Sequence, residues 1–298
     1  MSNQQPVLMV TGASGNLGRH VLDALITAGA KSVIAGTRSP DKLANYQARG
    51  ITTRKLDFDQ PETLPGAFAG VDRLLIISTN QEAGPGERAK QQGAAVAAAV
   101  AAGVKHIVYT SITRPQPGAL LSIAPDDYAT ELALAHSPLT WTVLRNNCYM
   151  EFLALSLPNV IADRAFYAAD GGRGMGYVLR SDCAIAAATA LTSNVYENAM
   201  YDITGPAVVT LKEVAALIEE VSGIPIVVIQ IAPSEMAGRL RAARLPPNLA
   251  DFLVELHAAT ARGHFAVATG DFEFLTGRKP TAVRDFLAAA AATYAPKP

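Results

Sequence analysis

The chain has 298 residues, of which 50% are hydrophobic and 17% are charged, with 25 Lys and Arg against 26 Asp and Glu. This near-neutral balance, with no run of five or more basic residues, favours neither nucleic acid nor a membrane surface as a partner. The composition is typical of a compact globular protein with a large hydrophobic core, and it excludes a largely disordered chain.

The N-terminal segment, the cysteines and the histidines further limit the class of protein that the sequence can encode. The opening "MSNQQPVLMV" has no positively charged region, and apolar stretches such as "AAVAAAVAAGV" are shorter than the roughly 20 residues that span a membrane. We therefore expect a cytoplasmic protein. Cys148 and Cys183 lie far apart and the five histidines show no H-E-x-x-H spacing, so we predict neither a disulfide framework nor a metal site. Nothing in the sequence indicates the oligomeric state.

The first half of the chain alternates short β-branched apolar runs with alanine-rich or amphipathic stretches. Strands are predicted at 7–12, 32–37, 51–57, 73–78, 106–111 and 140–146, with helices such as 17–29 and 87–103 between them. Such alternation is typical of βαβ units, which form a parallel sheet with helices on both faces. The predicted fold is therefore α/β, with a doubly wound (Rossmann) sheet.

The alternation loosens after about residue 150. We predict a helix near 181–193, a strand at 200–204, a helix that Thr210 opens with Glu213 in a capping box, and a strand at 226–231. The last seventy residues have mainly helical patterns. The chain is therefore divided into a dinucleotide-binding domain, 1–155, and a smaller, mostly helical lobe, 156–298. The position of this boundary is approximate, and parts of the second half are expected to belong to the first domain.

Three glycines follow the first predicted strand in "VTGASGNLGRHV", residues 10 to 21, and a predicted helix begins directly after them. In this context Gly12 permits a tight turn, Gly15 lets backbone approach a pyrophosphate, and Gly18 lets the helix pack on the strand. Phosphate would then lie at the helix N-terminus, where N–H groups and the helix dipole favour negative charge. The alternative is a tight turn without a ligand.

The end of the second predicted strand bears on which dinucleotide is bound. An NAD-binding site would carry Asp or Glu here for the ribose hydroxyls, but the sequence reads "IAGTRSP" and supplies Arg38. A guanidinium pairs with the 2′-phosphate of NADP, which a carboxylate would repel. Arg38 therefore favours NADPH over NADH, the alternative being an arginine in a solvated loop.

Polar residues also follow the next three predicted strands. Because the carboxyl ends of parallel strands meet at one edge of a sheet, we expect these residues to face the same crevice. They are Asp57 and Phe58 after the third strand, Ser78, Thr79 and Asn80 after the fourth, and Thr110 and Ser111 after the fifth.

Several segments together resemble the NmrA-like branch of the atypical short-chain dehydrogenase/reductases. The similarity is carried by "TGASGNLGRHV", "TRSPDKL", "LDFDQPETLPGAFAGVDRLLIIS", "AAGVKHIVYTS" and "TWTVLRNNCYMEFL". Within that branch, the chain is most similar to the bacterial NADPH:quinone oxidoreductase and triphenylmethane reductase group. The resemblance runs through residues 7–155 and thins beyond them.

The resemblance implies an NADP(H)-binding oxidoreductase and assigns roles to particular residues. It places 2′-phosphate contact on Arg38 and a nicotinamide-side contact on Asn146. The phosphate loop comprises Gly12, Ser14, Gly15, Asn16, Leu17 and Gly18, and the ring and ribose contacts are Asp57, Phe58, Ser78 and Thr79.

One departure from the wider superfamily affects the expected chemistry. Typical short-chain dehydrogenases reduce carbonyls with a Tyr-x-x-x-Lys pair, in which the lysine lowers the pKa of the tyrosine so that the phenol can donate a proton. Here "DDYATELALAH" pairs Tyr128 with Leu132. Carbonyl reduction by that pair is therefore disfavoured.

A quinone or another conjugated aromatic acceptor tolerates this loss, because its reduced form is stabilised by conjugation and is protonated later by water. Such a site needs mainly positioning and an apolar slot. "NNCYMEFLALSL" supplies Asn146 as an orienting group and Tyr149, Met150 and Phe152 as slot walls, the alternative for these three being plain core packing. Tyr128 and Glu131 are further hydrogen-bonding groups. Two alternatives remain: a non-catalytic NADP(H)-binding redox sensor of the NmrA type, and a carbonyl or imine reductase with another proton donor.

Overall fold

The computed structural model describes residues 5–79, 84, 86–243 and 245–294. The strands are β1 (Leu8–Val10), β2 (Val33–Thr37), β3 (Thr52–Lys55), β4 (Arg73–Ile77), β5 (His106–Ile112), β6 (Thr140–Asn146), β7 (Ala165–Ala168), β8 (Ala199–Ile203) and β9 (Val227–Gln230). The α-helices are α1 (Asn16–Thr27), α2 (Ala44–Gln47), α3 (Leu64–Phe68), α4 (Glu87–Ala101), α5 (Ala124–Ala135), α6 (Glu151–Asp163), α7 (Arg180–Thr192), α8 (Leu211–Ser222), α9 (Pro233–Ala242), α10 (Pro247–Ala261), α11 (Asp271–Thr276) and α12 (Val283–Tyr294). Short 3₁₀ turns cover Pro40–Leu43 and Pro61–Thr63.

The main sheet of the described residues has seven strands in the order β3-β2-β1-β4-β5-β6-β8. The pairs β1–β2, β2–β3, β1–β4 and β4–β5 are parallel. The strand order reverses between β1 and β4, and such a reversal opens a crevice beyond the carboxyl ends of the strands. The predicted doubly wound fold is confirmed.

The hydrophobic core of the sheet lies around its central strands. Met9, Leu74, Ile107 and Tyr109 are fully buried in one cluster of apolar side chains. Alanines of α4 pack into the same cluster, and their short side chains let the helix approach the sheet closely. This tight packing fixes the ends of β1 and β4, from which the loops at the crevice begin.

The second half of the chain also follows its predicted pattern. Helix α7 and strand β8 begin and end within one residue of the predicted ranges. Thr210 and Glu213 form the predicted capping box at the start of α8. Strand β9 pairs in parallel with β7 in a separate two-stranded sheet. Among the described helices, none is long and apolar enough to cross a membrane.

The chain divides into two compact units. The first comprises Met1–Pro117, Pro125–Arg145 and Cys183–Tyr201, and the second comprises Gly118–Ala124, Asn146–Asp182 and Asp202–Pro298. Segment 183–201 of the second half thus belongs with the first unit. The boundary at residue 155 stays a prediction.

The capping box yields a test of how α8 is stabilised. The Thr210 hydroxyl accepts the Glu213 N–H at 3.2 Å, and the Glu213 carboxylate accepts the Thr210 N–H at 2.7 Å. We expect Thr210→Ala to lower the free energy of unfolding by about 1 kcal/mol, measured by urea denaturation.

Thr27→Ala is the matched control. Thr27 is the last residue of α1, and its hydroxyl donates to the Asp23 carbonyl oxygen without capping the start of a helix. This variant is expected to cost less than about 0.5 kcal/mol. Equal losses in the two variants would contradict a capping role for Thr210.

Candidate functional site

The loop between β1 and α1 is built so tightly that glycine is required at two positions. Gly12 has φ +58°, a left-handed conformation that side chains disfavour. A Cβ added at Gly18 would lie 2.7 Å from the Ala13 Cα and closer still to the Gly12 carbonyl oxygen. Gly15 precedes the helix and has no side chain to cap it. The first N–H groups of α1 are therefore available to an anion.

A cavity of about 550 Å³ lies beside this loop, within the first unit. It collects residues that follow β1, β2, β3 and β4, as expected for the crevice at the carboxyl edge of the sheet. The sequence-predicted residues in its lining are Gly12, Ser14, Gly15, Asn16, Leu17, Gly18, Arg38, Asp57, Phe58, Ser78 and Thr79. The predicted phosphate loop is thus brought together in one cavity with four of the predicted strand-end residues, Asp57, Phe58, Ser78 and Thr79. Thr110 and Ser111, expected at the same crevice, are buried and do not line it.

Sequence reasoning missed other residues of this lining, namely Thr37, Ser39, Lys42, Leu56, Asp59, Ile77 and Gln91. Lys42 could have been found, because it follows Arg38 closely in "TRSPDKL" and offers a second cation. Gln91 carried no usable signal, since the face that α4 turns to the cavity depends on how the helix packs.

The loop after β2 is tied to the glycine loop and carries positive charge. The Thr37 hydroxyl hydrogen-bonds the Ser14 hydroxyl at 2.8 Å and accepts the Ser39 N–H at 3.1 Å. Arg38 lies 3.9 Å from a carboxylate oxygen of Asp59, and the two side chains are 64% and 61% exposed. An ion pair this exposed is weak, so the guanidinium can exchange it for a phosphate.

Two residues of the lining carry buried oxygens whose hydrogen-bonding capacity is unused. Thr79 Oγ1 and Gln91 Oε1 have no hydrogen-bond partner within the described part of the chain. Gln91 Nε2 donates to Asp59 Oδ1 at 2.6 Å, which fixes which end of the amide is the oxygen. Buried polar atoms without partners are costly, and a bound group that supplies the missing hydrogen bonds is one explanation for them. A polar dinucleotide is a chemically suitable occupant of this cavity.

The remaining predicted cofactor residues lie elsewhere. Thr110 is 2% exposed and accepts the Ser78 N–H at 3.0 Å, so it supports a residue of the lining from behind. Asn80 lies outside the described residues. Asn146 is the last residue of β6 and is 5% exposed.

Helix α5 carries Tyr128, Glu131 and Leu132. Tyr128 is half-buried, and Leu132, one turn later, is 41% exposed. Glu131 is 3% exposed and accepts hydrogen bonds from Ser111 Oγ at 2.7 Å and from Arg145 Nε and Nη2 at 2.9 and 2.6 Å. These bonds engage both carboxylate oxygens of Glu131. The geometry is that of a structural anchor between α5, β5 and β6.

Asn146 and Tyr149 meet in the second unit. Asn146 Nδ2 donates to the Tyr149 hydroxyl at 3.2 Å, while Asn146 Oδ1 is buried without a partner among the described residues. The Tyr149 ring stacks with Phe152 at 6.5 Å between centroids, and Phe152 contacts Phe252 at 5.8 Å. The Arg180 guanidinium lies over the Tyr149 ring at 4.8 Å. Phe252, on α10, was not predicted from the sequence.

Two neighbours of Tyr149 belong to the core instead. Met150 is fully buried, so the expectation that it forms a wall of an open slot is wrong. Cys148 is also buried, and burial raises the pKa of its thiol to about 12, which keeps it protonated and unreactive. Within the described residues, no group of three or more His, Cys, Asp or Glu side chains is arranged to hold a metal ion.

Comparison with known proteins gives relatives of similar length. Quinone oxidoreductase 2 from Escherichia coli is 33% identical over 258 residues, 86% of this chain and 89% of that protein. The NmrA-like family domain-containing oxidoreductase flvB of Aspergillus flavus is 30% identical, over 93% of this chain and 92% of that protein. The crystal structure of Citrobacter sp. triphenylmethane reductase complexed with NADP(H) has a TM-score of 0.89 and 30% identity, with 96% and 99% of the two chains covered.

Residues 12–192 match a family model described as NAD(P)H-binding. This range begins at the first glycine of the loop and contains β2, β3 and β4, after which further residues of the cavity lining follow. The chain therefore belongs to this NAD(P)H-binding family, among its NmrA-like short-chain dehydrogenase/reductases, and is an NADPH-dependent oxidoreductase.

Proposed function

We propose that the protein transfers hydride from NADPH to a quinone or a related conjugated aromatic acceptor. The observation that carries this proposal is Leu132, which occupies the position where carbonyl-reducing relatives of this fold need lysine. The names of the relatives support it, because one is a quinone oxidoreductase and another a triphenylmethane reductase.

The cofactor assignments follow from the charges and geometry of the cavity. We assign the pyrophosphate to the first turn of α1 and the 2′-phosphate to Arg38 and Lys42. Asp57 and Phe58 are assigned to the adenine and its ribose. The bound cofactor supplies the hydride, and the residues of the cavity hold it in place.

The residues of α5 are poorly suited to general acid catalysis. Leu132 stands where a lysine would assist Tyr128, so α5 lacks the Tyr-x-x-x-Lys pair that carbonyl reduction uses. Glu131 is already paired with Arg145. An acceptor that delocalises the incoming charge needs no enzyme proton donor in the hydride step, because water can protonate the product afterwards.

We assign the acceptor to the aromatic cluster of the second unit, formed by Tyr149, Phe152 and Phe252. Their half-buried rings are suited to stacking on a planar acceptor. Asn146 Oδ1 and Nδ2 are assigned to hydrogen bonding at that site.

The direct test is stopped-flow loss of NADPH absorbance with benzoquinones, naphthoquinones and triarylmethane dyes. We expect turnover with at least one class. NADPH binding without turnover across the whole panel would overturn the proposal and favour the redox-sensing alternative. Calorimetry would then have to reveal different affinities for NADP⁺ and NADPH.

Arg38→Ala tests the choice of cofactor. We expect it to weaken NADPH binding by about 1 to 3 kcal/mol, the scale of a charge-assisted hydrogen bond, with little change for NADH. Fluorescence titration measures both dissociation constants. Arg49→Ala is the control, because Arg49 is also exposed and pairs with Asp23 on the same unit. Equal losses for the two cofactors would refute the assignment of the 2′-phosphate.

Tyr128→Phe tests whether α5 donates a proton. We expect kcat with a quinone to stay within about twofold of wild type, whereas loss of a general acid costs about 10²-fold or more. A loss of that size at all pH values would identify Tyr128 as the proton donor and contradict hydride transfer without an enzyme acid.

Tyr149→Leu tests the aromatic cluster. Loss of the ring is expected to raise KM for a quinone about tenfold, the scale of one aromatic stacking contact, without changing the affinity for NADPH. Tyr149→Phe is the matched variant that keeps the ring and removes the hydroxyl, and we expect it to retain KM. An unchanged KM in Tyr149→Leu would place the acceptor elsewhere.

A further inference from the structure

A buried polar cluster lies beneath the cavity in the first unit. It consists of Arg88 and Gln92 on α4, Tyr109 on β5 and Asp127 on α5, and we call it the Arg88–Asp127 cluster. The four residues are 3%, 0%, 0% and 1% exposed. Burying an ion pair carries a large desolvation cost, so such a pair is weak evidence for stability alone.

The cluster holds the backbone of Thr79 on both sides. Arg88 Nε donates to the Thr79 carbonyl oxygen at 2.9 Å. The Thr79 N–H donates to Gln92 Oε1 at 3.3 Å. Thr79 follows the end of β4 by two residues, where strand pairing no longer fixes the chain. Within β4 the backbone is held by hydrogen bonds to neighbouring strands. At Thr79, side chains of α4 supply the hydrogen bonds to the backbone instead.

Asp127 in turn fixes Arg88. Arg88 Nη2 lies 2.9 Å from Asp127 Oδ1, and the Tyr109 hydroxyl donates to the same oxygen at 2.6 Å. The Tyr109 hydroxyl also lies 3.1 Å from Gln92 Oε1. One carboxylate thus holds the guanidinium that holds Thr79.

Thr79 connects this cluster to the cavity. It belongs to the cavity lining, beside Ser78, together with the glycine loop that follows β1. Its Oγ1 is one of the buried oxygens without a partner among the described residues. The strand end held by the cluster is therefore part of the surface on which the dinucleotide lies.

We propose that Arg88, Gln92 and Asp127 are positioning residues for the cofactor, which set the strand end at Thr79 for NADPH binding. The inference rests on cofactor binding and is independent of the hydride acceptor. It assigns a role to α4 and α5 that acts through Thr79, without contact between these three side chains and the cofactor.

The charge state of Asp127 gives the proposal a distinctive readout. Burial raises the pKa of Asp127 to about 6, against the lowering effects of Arg88 and Tyr109, and the charge of Glu131 raises it further. Below that pH the carboxyl is neutral and Arg88 loses its counter-charge. We therefore expect the affinity for NADPH to fall as the pH drops through about 6.

The experiment measures the dissociation constant of NADPH by fluorescence titration from pH 5 to pH 8. Asp127→Asn is expected to weaken binding about tenfold at pH 8, the scale of one charged hydrogen bond, and to remove the Asp127 contribution to the pH profile. The 2′-phosphate itself titrates at about pH 6, but wild type and variant share that effect.

Tyr109→Phe supplies a second, milder variant. It removes a hydrogen bond that lowers the pKa of Asp127, so this pKa rises. We expect the affinity for NADPH at pH 8 to be retained and its fall at acid pH to begin at a higher pH. Dissociation constants within twofold of wild type in Asp127→Asn at pH 8, or coincident pH profiles in all three proteins, would overturn the proposal.

Arg73→Lys is the matched control, because Arg73 is a buried arginine at the first residue of β4, whereas Thr79 follows the last residue of that strand. Arg73 is 6% exposed and donates to the carbonyls of Leu191 and Ala190. We expect this variant to lower the melting temperature while keeping the dissociation constant and its pH profile. An equal loss of NADPH affinity in Arg73→Lys would show a general structural effect and contradict the positioning role.

Discussion

The close approach of α1 to the end of β1 is the constraint on which the site depends. Gly12 must adopt a left-handed conformation, and Gly18 has no room for a Cβ against the Gly12 carbonyl oxygen and Ala13. Because the loop is this short, the first N–H groups of α1 point to the carboxyl edge of the sheet. The cofactor's phosphates are proposed to bind at this edge, and the residues that follow the other strands line the same cavity.

Helix α5 carries Tyr128 and Leu132 at the spacing of a Tyr-x-x-x-Lys pair, but its buried acidic residues bond to neighbouring elements. Glu131 anchors Arg145 and Ser111, and Asp127 anchors Arg88. Leu132 leaves Tyr128 without a nearby lysine on its helix. The helix therefore organises the ends of neighbouring strands, and the proposed reaction relies on the acceptor's own conjugation in place of an enzyme acid.

The sequence predicted the features that depend on local patterns. Each strand of the first half, the Thr210 capping box and the glycine loop depends on a short stretch of sequence, and Arg38 directly follows a strand that could be predicted in the same way. Features that depend on packing between distant segments escaped prediction. Gln91, Phe252 and the Arg88–Asp127 cluster each come together only through helix placement, and strand β7 was not predicted.

In the proposed reaction, hydride transfer proceeds without a proton donated by the enzyme. The most direct measurement is the single-turnover rate of quinone reduction with NADPH deuterated at the transferred position, in ordinary and in heavy water. We expect a clear primary isotope effect from the cofactor and no solvent isotope effect on that step. A large solvent isotope effect on the same step would contradict it, because proton transfer would then accompany hydride transfer.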